Sequence, residues 1–374
     1  MRKHRFGMIA GLSIGALVLS ACQGSGTTTP TAGGSGGPSS DLKIGLVTDV
    51  GTLDDKNFNQ FSWEGAKDGA AAIGAATPKS VVTTASADYA KNIQSFVDQS
   101  FDVIVTVGFA LGNDTTIAAK ANPDIKFIGV DQGVCVDDKG APDATFACAG
   151  DAATLLPNYQ GLVFKEQQPG YLAGIVAGSI SKSGHIAAIG GTKVVPAVAN
   201  YIAGYANGAA SVSPDIQVEQ QYVSEAPDAK AFNDPAGGKA FAEQLLQQNK
   251  DVDVLFQVAG KTGNGVLQAA CEAKIHAIGV DVDQHLSTPD SAACIVTSAE
   301  KKLKKAVSDA IKRVADGSAK GGTVPLDITT DSVGLSPFYD FQDLITPEIQ
   351  KKIDDAIAGL KDGSIDPCKP TACS

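Results

Sequence analysis

The sequence predicts an α/β fold of two similar lobes, each a parallel sheet covered by helices. Three observations carry this. Strand-like apolar runs alternate with helix-spaced segments from residue 42 to residue 130. The same alternation restarts at residue 168 and continues to residue 280. Aromatic residues are only 6% of the chain while glycines number 41, which suits helices packed closely on sheets. Repeated β-α units of this length favour a parallel sheet with both faces covered.

The N-terminus stands apart from this pattern. Arg2, Lys3, His4 and Arg5 precede an uncharged, largely apolar run from Phe6 to Ala21. That run is short for a bilayer span, which takes roughly 20 apolar residues. A basic start, a short apolar core and small residues at its end read as a secretory signal over residues 1–21. Leu19-Ser20-Ala21-Cys22 looks like a bacterial lipobox, so Cys22 is the expected lipidation site and the only attachment to the membrane. Residues 22–41 are rich in Gly, Ser, Thr and Pro. Such a segment buries too little apolar surface to offset its ordering entropy and reads as a flexible tether.

In the body, residues 42–47 read as a strand, 61–73 as a helix, 80–84 as a strand and 89–99 as a helix. Residues 103–107 form a strand, 112–121 a helix that stops before Pro123, and 126–130 a strand. In the second set, helices are expected at 168–181, 196–210, 238–248 and 263–273. The strands between them fall at 185–190, 217–223, 252–257 and 277–280. Two further helices, at 301–317 and 347–360, would cross back between the lobes. In such folds ligand clefts form at the carboxyl ends of the strands.

Charge and cysteine content exclude several classes. The full chain carries −11 at pH 7, and without the signal segment 27 Lys+Arg face 41 Asp+Glu. An acidic body argues against nucleic-acid binding and against adhesion to anionic lipid. Apart from Cys22 there are six cysteines: Cys135, Cys148, Cys271, Cys294, Cys368 and Cys373. An even number in an exported chain suggests disulfides, and pairing of sequence neighbours is the favoured one of fifteen connectivities. A zinc site is the alternative, but it would want CxxC pairs or a nearby His pair, which are missing. No metal or other cofactor is expected.

Chemistry gathers at the strand ends. The first strand leads into Thr48-Asp49-Val50-Gly51 and on through Asp54-Asp55-Lys56-Asn57-Phe58-Asn59-Gln60. Others end in Gly129-Val130-Asp131-Gln132, Phe256-Gln257 with Ala259-Gly260, and Gly279-Val280-Asp281. Polar side chains, glycines and two aromatics at the mouth of a cleft suit a small polar ligand with a flat ring. Each residue also has a plain structural reading. Phe58 packs a helix start, Asp49 caps a turn, and Lys301 with Lys302, Lys304 and Lys305 forms a solvated helix face. Two phosphate-loop look-alikes fail. Gly260-Lys261-Thr262 has Leu255 where the motif needs glycine, and Gly190-Gly191-Thr192-Lys193 has His185 there.

Residues 47–51, 54–60 and 63–65 together resemble the opening signature of the basic membrane protein family, lipoprotein solute receptors of ABC importers similar to purine nucleoside receptors. The likeness continues through Gly170-Tyr171-Leu172-Ala173-Gly174, Gly190-Gly191, Thr262-Gly263, Ile278-Gly279-Val280-Asp281 and Thr297-Ser298 with Lys301. Thr52, Ala299-Glu300 and the stretch 133–157 depart from the family pattern.

The resemblance implies a type I periplasmic-binding-protein fold, two Rossmann-like lobes joined by a three-crossover hinge. The first lobe would comprise residues 42–165 plus 285–328, the second 166–284 plus 329–366, with a tail at 367–374. It implies a non-enzymatic, monomeric receptor held outside the cytoplasm, feeding permease subunits. Phe58 and Phe256 would sandwich a base, a sequence-tolerant use of π faces. Asp49 and Asn59 would meet the edge of the base. Asp131, Asp281 and Lys301 would bind ribose hydroxyls, and Gly260 would let the backbone approach the ligand. The alternatives are a receptor for another small solute that feeds a sensor, and a nucleoside hydrolase. For the hydrolase only Asp49 with Asp54 and Asp55 offers an aspartate cluster, and its spacing fits a turn better than a metal cage.

Overall fold

The computed structural model describes residues 39–374, so the signal segment, Cys22 and the tether as far as residue 38 lie outside the described residues. The chain begins with β1 (Ile44–Val50), α1 (Phe58–Ala72), β2 (Lys79–Thr83), α2 (Tyr89–Asp98), β3 (Val103–Val107) and α3 (Gly112–Ala121). After β4 (Lys126–Val130) a long loop carries α4 (Ala152–Leu155) into β5 (Tyr159–Phe164). The chain then crosses to a second lobe through α5 (Gln167–Ile180), β6 (His185–Gly190), α6 (Pro196–Val212), β7 (Gln217–Tyr222), α7 (Ala229–Phe232) and α8 (Pro235–Gln248). That lobe continues with β8 (Val254–Val258), α9 (Gly260–Glu272), β9 (His276–Asp281), α10 (Gln284–Ser287) and β10 (Ile295–Lys301). A second crossing returns to the first lobe for α11 (Leu303–Ala315) and β11 (Gly322–Leu326). A third leads to β12 (Val333–Leu335) and α12 (Pro347–Asp362).

Each lobe holds one six-stranded sheet, ordered β11-β5-β4-β3-β1-β2 and β12-β10-β9-β8-β6-β7. All pairings are parallel except β10 with β12. The central strands read as unbroken apolar runs because helices cover both faces. Every residue of β3 and β8 is buried, whereas the edge strands β2 and β7 carry Lys79, Glu219 and Gln220. Two lobes with three crossings make this a type I periplasmic-binding-protein fold. The crossings are stitched to each other: Lys165 N donates to Leu326 O, Lys302 N to Ser332 O and Ile328 N to Gln168 Oε1, each at 2.9 Å.

One boundary differs from the sequence expectation. Residues 285–301 belong to the second lobe, because β10 pairs with β9 in its sheet. The second crossing therefore falls between Lys301 and Leu303. The apolar run Ile295-Val296, continued by small residues to Ala299, is a buried strand, and the helix expected from residue 301 begins only at Leu303.

Helices α5 and α6 lie unusually close, and glycine makes this possible. A Cβ at Gly174 would sit 2.0 Å from Tyr205 O, and one at Gly208 would sit 1.9 Å from Tyr171 O. The six cysteines form Cys135–Cys148, Cys271–Cys294 and Cys368–Cys373, with Cα separations of 4.7, 5.3 and 5.1 Å. The tail at 367–374 is not loose. Asn207 on α6 donates to Pro367 O and Thr371 O and accepts from Thr371 N.

Candidate functional site

A cavity with about 840 Å³ of empty space, mouth included, lies between the lobes. Its walls come from the carboxyl ends of β1, β3 and β4 on one side and of β8, β9 and β10 on the other, joined by the starts of α1 and α6 and by α7. Asp49, Phe58, Asn59, Asp131, Gly260, Asp281 and Lys301 all line it. The structure thus brings together seven of the eight ligand residues expected from sequence.

Phe256 is the exception. It is 0% exposed, in the core of the second lobe, with its ring 5.0 Å from that of Tyr205 and 6.1 Å from that of Tyr201. Side chains within a strand point toward the covering helices; only those at or past the carboxyl end face the cleft. Phe256 stands two residues before the end of β8 and so packs beneath α6. The phenylalanine on this wall is Phe232, the last residue of α7, half-buried and lining the cavity together with Tyr201 of α6. It leans on two glycines. A Cβ at Gly191 would sit 2.4 Å from its ring, and one at Gly260 would sit 3.6 Å away. The available signal was an aromatic among turn formers, Phe232-Asn233-Asp234-Pro235, just before a helix.

Asp55 builds the other wall. Its carboxylate accepts from the backbone N–H groups of Asn57 (2.8 Å), Asn59 (2.9 Å) and Gln60 (3.1 Å), which folds the turn that presents Phe58 and Asn59. Asp54 instead faces Lys261 across the lip, 3.4 Å away. The aspartates of this turn are therefore committed to turn and lip contacts. Among the described residues no cluster of three or more His, Cys, Asp or Glu is placed to hold a metal ion.

The two lobes repeat one corner. Asp131 directly follows β4 and Asp281 ends β9, both in the left-handed backbone region, at φ +57° and +64°. Non-glycine residues sit there at a cost of roughly 1 kcal/mol, and aspartate tolerates it better than most. A glutamine braces each corner. Gln132 donates to Gly108 O (2.9 Å) and accepts from the Tyr159 hydroxyl (2.6 Å). Gln284 accepts from Val280 N (2.9 Å) and donates to Asn264 (3.1 Å). Gly129 and Gly279 make room for these side chains, whose Oε1 atoms lie 2.3 and 2.8 Å from where a Cβ would be.

Lys301 joins the corners. It is 3% exposed, so the solvated-face reading does not hold. Its Nζ lies 2.5 Å from Asp131, 3.2 Å from Glu166 and 3.7 Å from Asp281. Burial works against its charge, but the three carboxylates outweigh burial and hold it above the ordinary lysine range. Burial pushes Glu166 up to about 7 and Asp281 up to about 6, with Lys301 opposing both. Glu166 escaped the sequence reading, since it lies in a crossing and follows no strand-end motif.

At the opposite end, burial pushes Asp49 up to about 7, against a hydrogen bond from Asn59 and with Asp55 and Asp131 adding to the rise. Gly108 (φ +110°) leaves space for that carboxylate, whose Oδ2 would lie 2.5 Å from a Cβ. Among the described residues, buried Asn59 Oδ1 and Asp131 Oδ1 make no hydrogen bond within the protein. Such atoms suit a ligand with donors at both ends. The lobes touch across the lip. Lys261 Nζ is 3.0 Å from Thr52 Oγ1, and Asn264 donates to Asp55 O at 3.0 Å.

Comparison with known proteins gives this architecture a context. The ABC transporter nucleoside-binding protein BmpA of Lactococcus lactis subsp. cremoris is 31% identical, over 93% of this chain and 94% of its own. An uncharacterized lipoprotein of Pyrococcus horikoshii is 28% identical, over 87% of this chain and 75% of its own. The solved structure of an ABC transporter system solute-binding protein from Aeropyrum pernix K1 shares the fold with a TM-score of 0.72 at 23% identity, covering 87% of this chain and 92% of that one. The lactococcal and Aeropyrum proteins are named as binding components of ABC transporters, not enzymes, and among the described residues no helix is long and apolar enough to cross a membrane. The model of the family of PnrA-like ABC transporter substrate-binding proteins (Bmp) matches residues 43–360, and the chain belongs to that family.

Proposed function

We propose that this receptor captures a purine nucleoside outside the cytoplasm and presents it to the permease of an ABC importer, tethered by a lipid on Cys22. The observation that carries the proposal is a pair of phenylalanines, Phe58 and Phe232, on opposite lobes of one cavity. Between them a planar base would stack as the lobes close. Asp49 and Asn59 would meet the edge of the base, as acceptor and as donor or acceptor. Asp131, Asp281 and Lys301 would take the ribose hydroxyls, with carboxylates accepting and the ammonium balancing their charge. Gly260, at φ +51°, lets the backbone come close to the ligand. The nucleoside-binding name of the lactococcal relative supports the same ligand class.

Calorimetry on protein stripped of co-purified ligand tests this, with inosine, guanosine, adenosine, uridine and cytidine as titrants. Heat with the purine nucleosides is the expected outcome. Silence from all five ends the nucleoside assignment while leaving the fold untouched. Mass spectrometry of the mature N-terminus tests the anchor, since an unmodified Cys22 or cleavage elsewhere contradicts it.

A further inference from the structure

Glu166 stands between β5 and α5, on the first crossing, and is 3% exposed. It does not line the cavity. Its Oε1 lies 3.2 Å from the Nζ of Lys301, the last residue before the second crossing. This ion pair therefore joins the first crossing to the strand end from which the second crossing departs. The other carboxylates on Lys301 belong one to each lobe, Asp131 to the first and Asp281 to the second.

We infer that Glu166 is a positioning residue for Lys301, holding the ammonium at the hinge so that it can serve both aspartates when the lobes close. A lysine head is a point charge on a flexible four-carbon stem. With only Asp131 and Asp281 beside it, the head would follow whichever aspartate stayed near as the cleft opened. Glu166 sits where the lobes meet, as the residue just before α5. Its backbone carbonyl accepts from Gly170 N of α5 at 3.0 Å, and the preceding Lys165 N is bonded to Leu326 O at the end of β11, so the segment is tied to both lobes. Phe164, the last residue of β5, places its ring centroid 5.5 Å from Nζ and helps to confine it. An ammonium has three donors, and three carboxylates surround this one. A further ionisable group against the cluster is the Tyr201 hydroxyl, which donates to Ala299 O, and Asp55 lies close enough to act on Asp281.

The inference rests on the nucleoside reading for its probe, and the experiment separates the two. Wild-type protein and Glu166→Gln are titrated with inosine and with 2′,3′-dideoxyinosine, which keeps the base and lacks the hydroxyls that Lys301 and its aspartates would hold. Glu166→Gln is expected to weaken inosine binding about 10- to 100-fold and to leave dideoxyinosine within about twofold, because a hydrogen bond to a charged group is lost only where the ammonium acts. A merely structural role would weaken both ligands alike. Equal loss for the two ligands, or no loss for inosine, overturns the inference. Silence from the wild type counts against the nucleoside reading instead. Glu166→Asp keeps the charge and withdraws it by one methylene. The same selective pattern is expected from it, and it replaces Glu166→Gln should that variant not fold.

Discussion

Replacing Phe232, Phe58 and Phe256 with alanine, one at a time, separates the two residues proposed to stack on the ligand from one that supports the wall. Phe232 and Phe58 are part-buried on the cavity surface. Stacking on a base contributes about 1–3 kcal/mol per aromatic, so each should weaken nucleoside binding roughly 5- to 150-fold at 1.4 kcal/mol per tenfold. Their melting temperatures should change little, since each leaves a gap open to the cleft. Phe256 is fully enclosed under Tyr201 and Tyr205. Its loss leaves a cavity in the core, with a cost of about 3–5 kcal/mol in stability. Because Phe256 does not line the cavity, affinity measured well below the melting transition should stay within roughly tenfold of wild type. Calorimetry and thermal unfolding, run on all three variants, give two numbers for each. If Phe256→Ala lost as much affinity as Phe232→Ala while its melting temperature hardly moved, the placement of the stacking wall on α7 would be wrong.

Three further outcomes follow from the packing and charge. Gly208→Ala should destabilise the second lobe by about 1–3 kcal/mol, because its methyl would meet the Tyr171 carbonyl at 1.9 Å; chemical denaturation measures this. Burial raises Asp49 to about 7, well above its unfolded value of 3.8, so the folded state favours the proton between those values. Its contribution is complete below about pH 4 and is lost as pH rises through about 7. Asp49→Asn, followed by thermal melts from pH 5 to 8, should therefore gain on wild type as pH rises, and parallel curves would contradict the shift. Removing Cys271 and Cys294 together opens a bridge spanning 23 residues, with an expected cost of about 3 kcal/mol and unchanged affinity; denaturation and calorimetry on the double serine variant check both.

The parts of this molecule that were legible in sequence are those whose signal is local. β1, β3, β4, β6, β8 and β9 announce themselves because central parallel strands are apolar throughout, and the covering helices show their own period. β5 begins Tyr159-Gln160-Gly161 and β11 contains Pro325, so neither presents such a run. β10 was hidden because it ends in Glu300-Lys301, which continues into a lysine-rich helix start. The polar corners were visible for the same local reason, as motifs directly after strands. Phe232 and Glu166 were not. One sits on a four-residue helix in a loop and the other on a crossing, and both reach the site by the path of the whole chain. Phe256 misled because adjacency to a strand end in sequence differs from facing the cleft, a difference of two residues along β8.

The placement of the three disulfides bears on how the two lobes can move. Cys135–Cys148 closes the loop after β4, Cys271–Cys294 links the end of α9 to the approach to β10, and Cys368–Cys373 folds the tail that Asn207 clamps to α6. Each therefore begins and ends within a single lobe. Oxidation hardens the two jaws separately and adds no covalent strap between them. Durability against the surroundings and freedom to open are thus assigned to different bonds. A two-lobed receptor built this way gains stability within each lobe while the described crossings stay free of covalent ties.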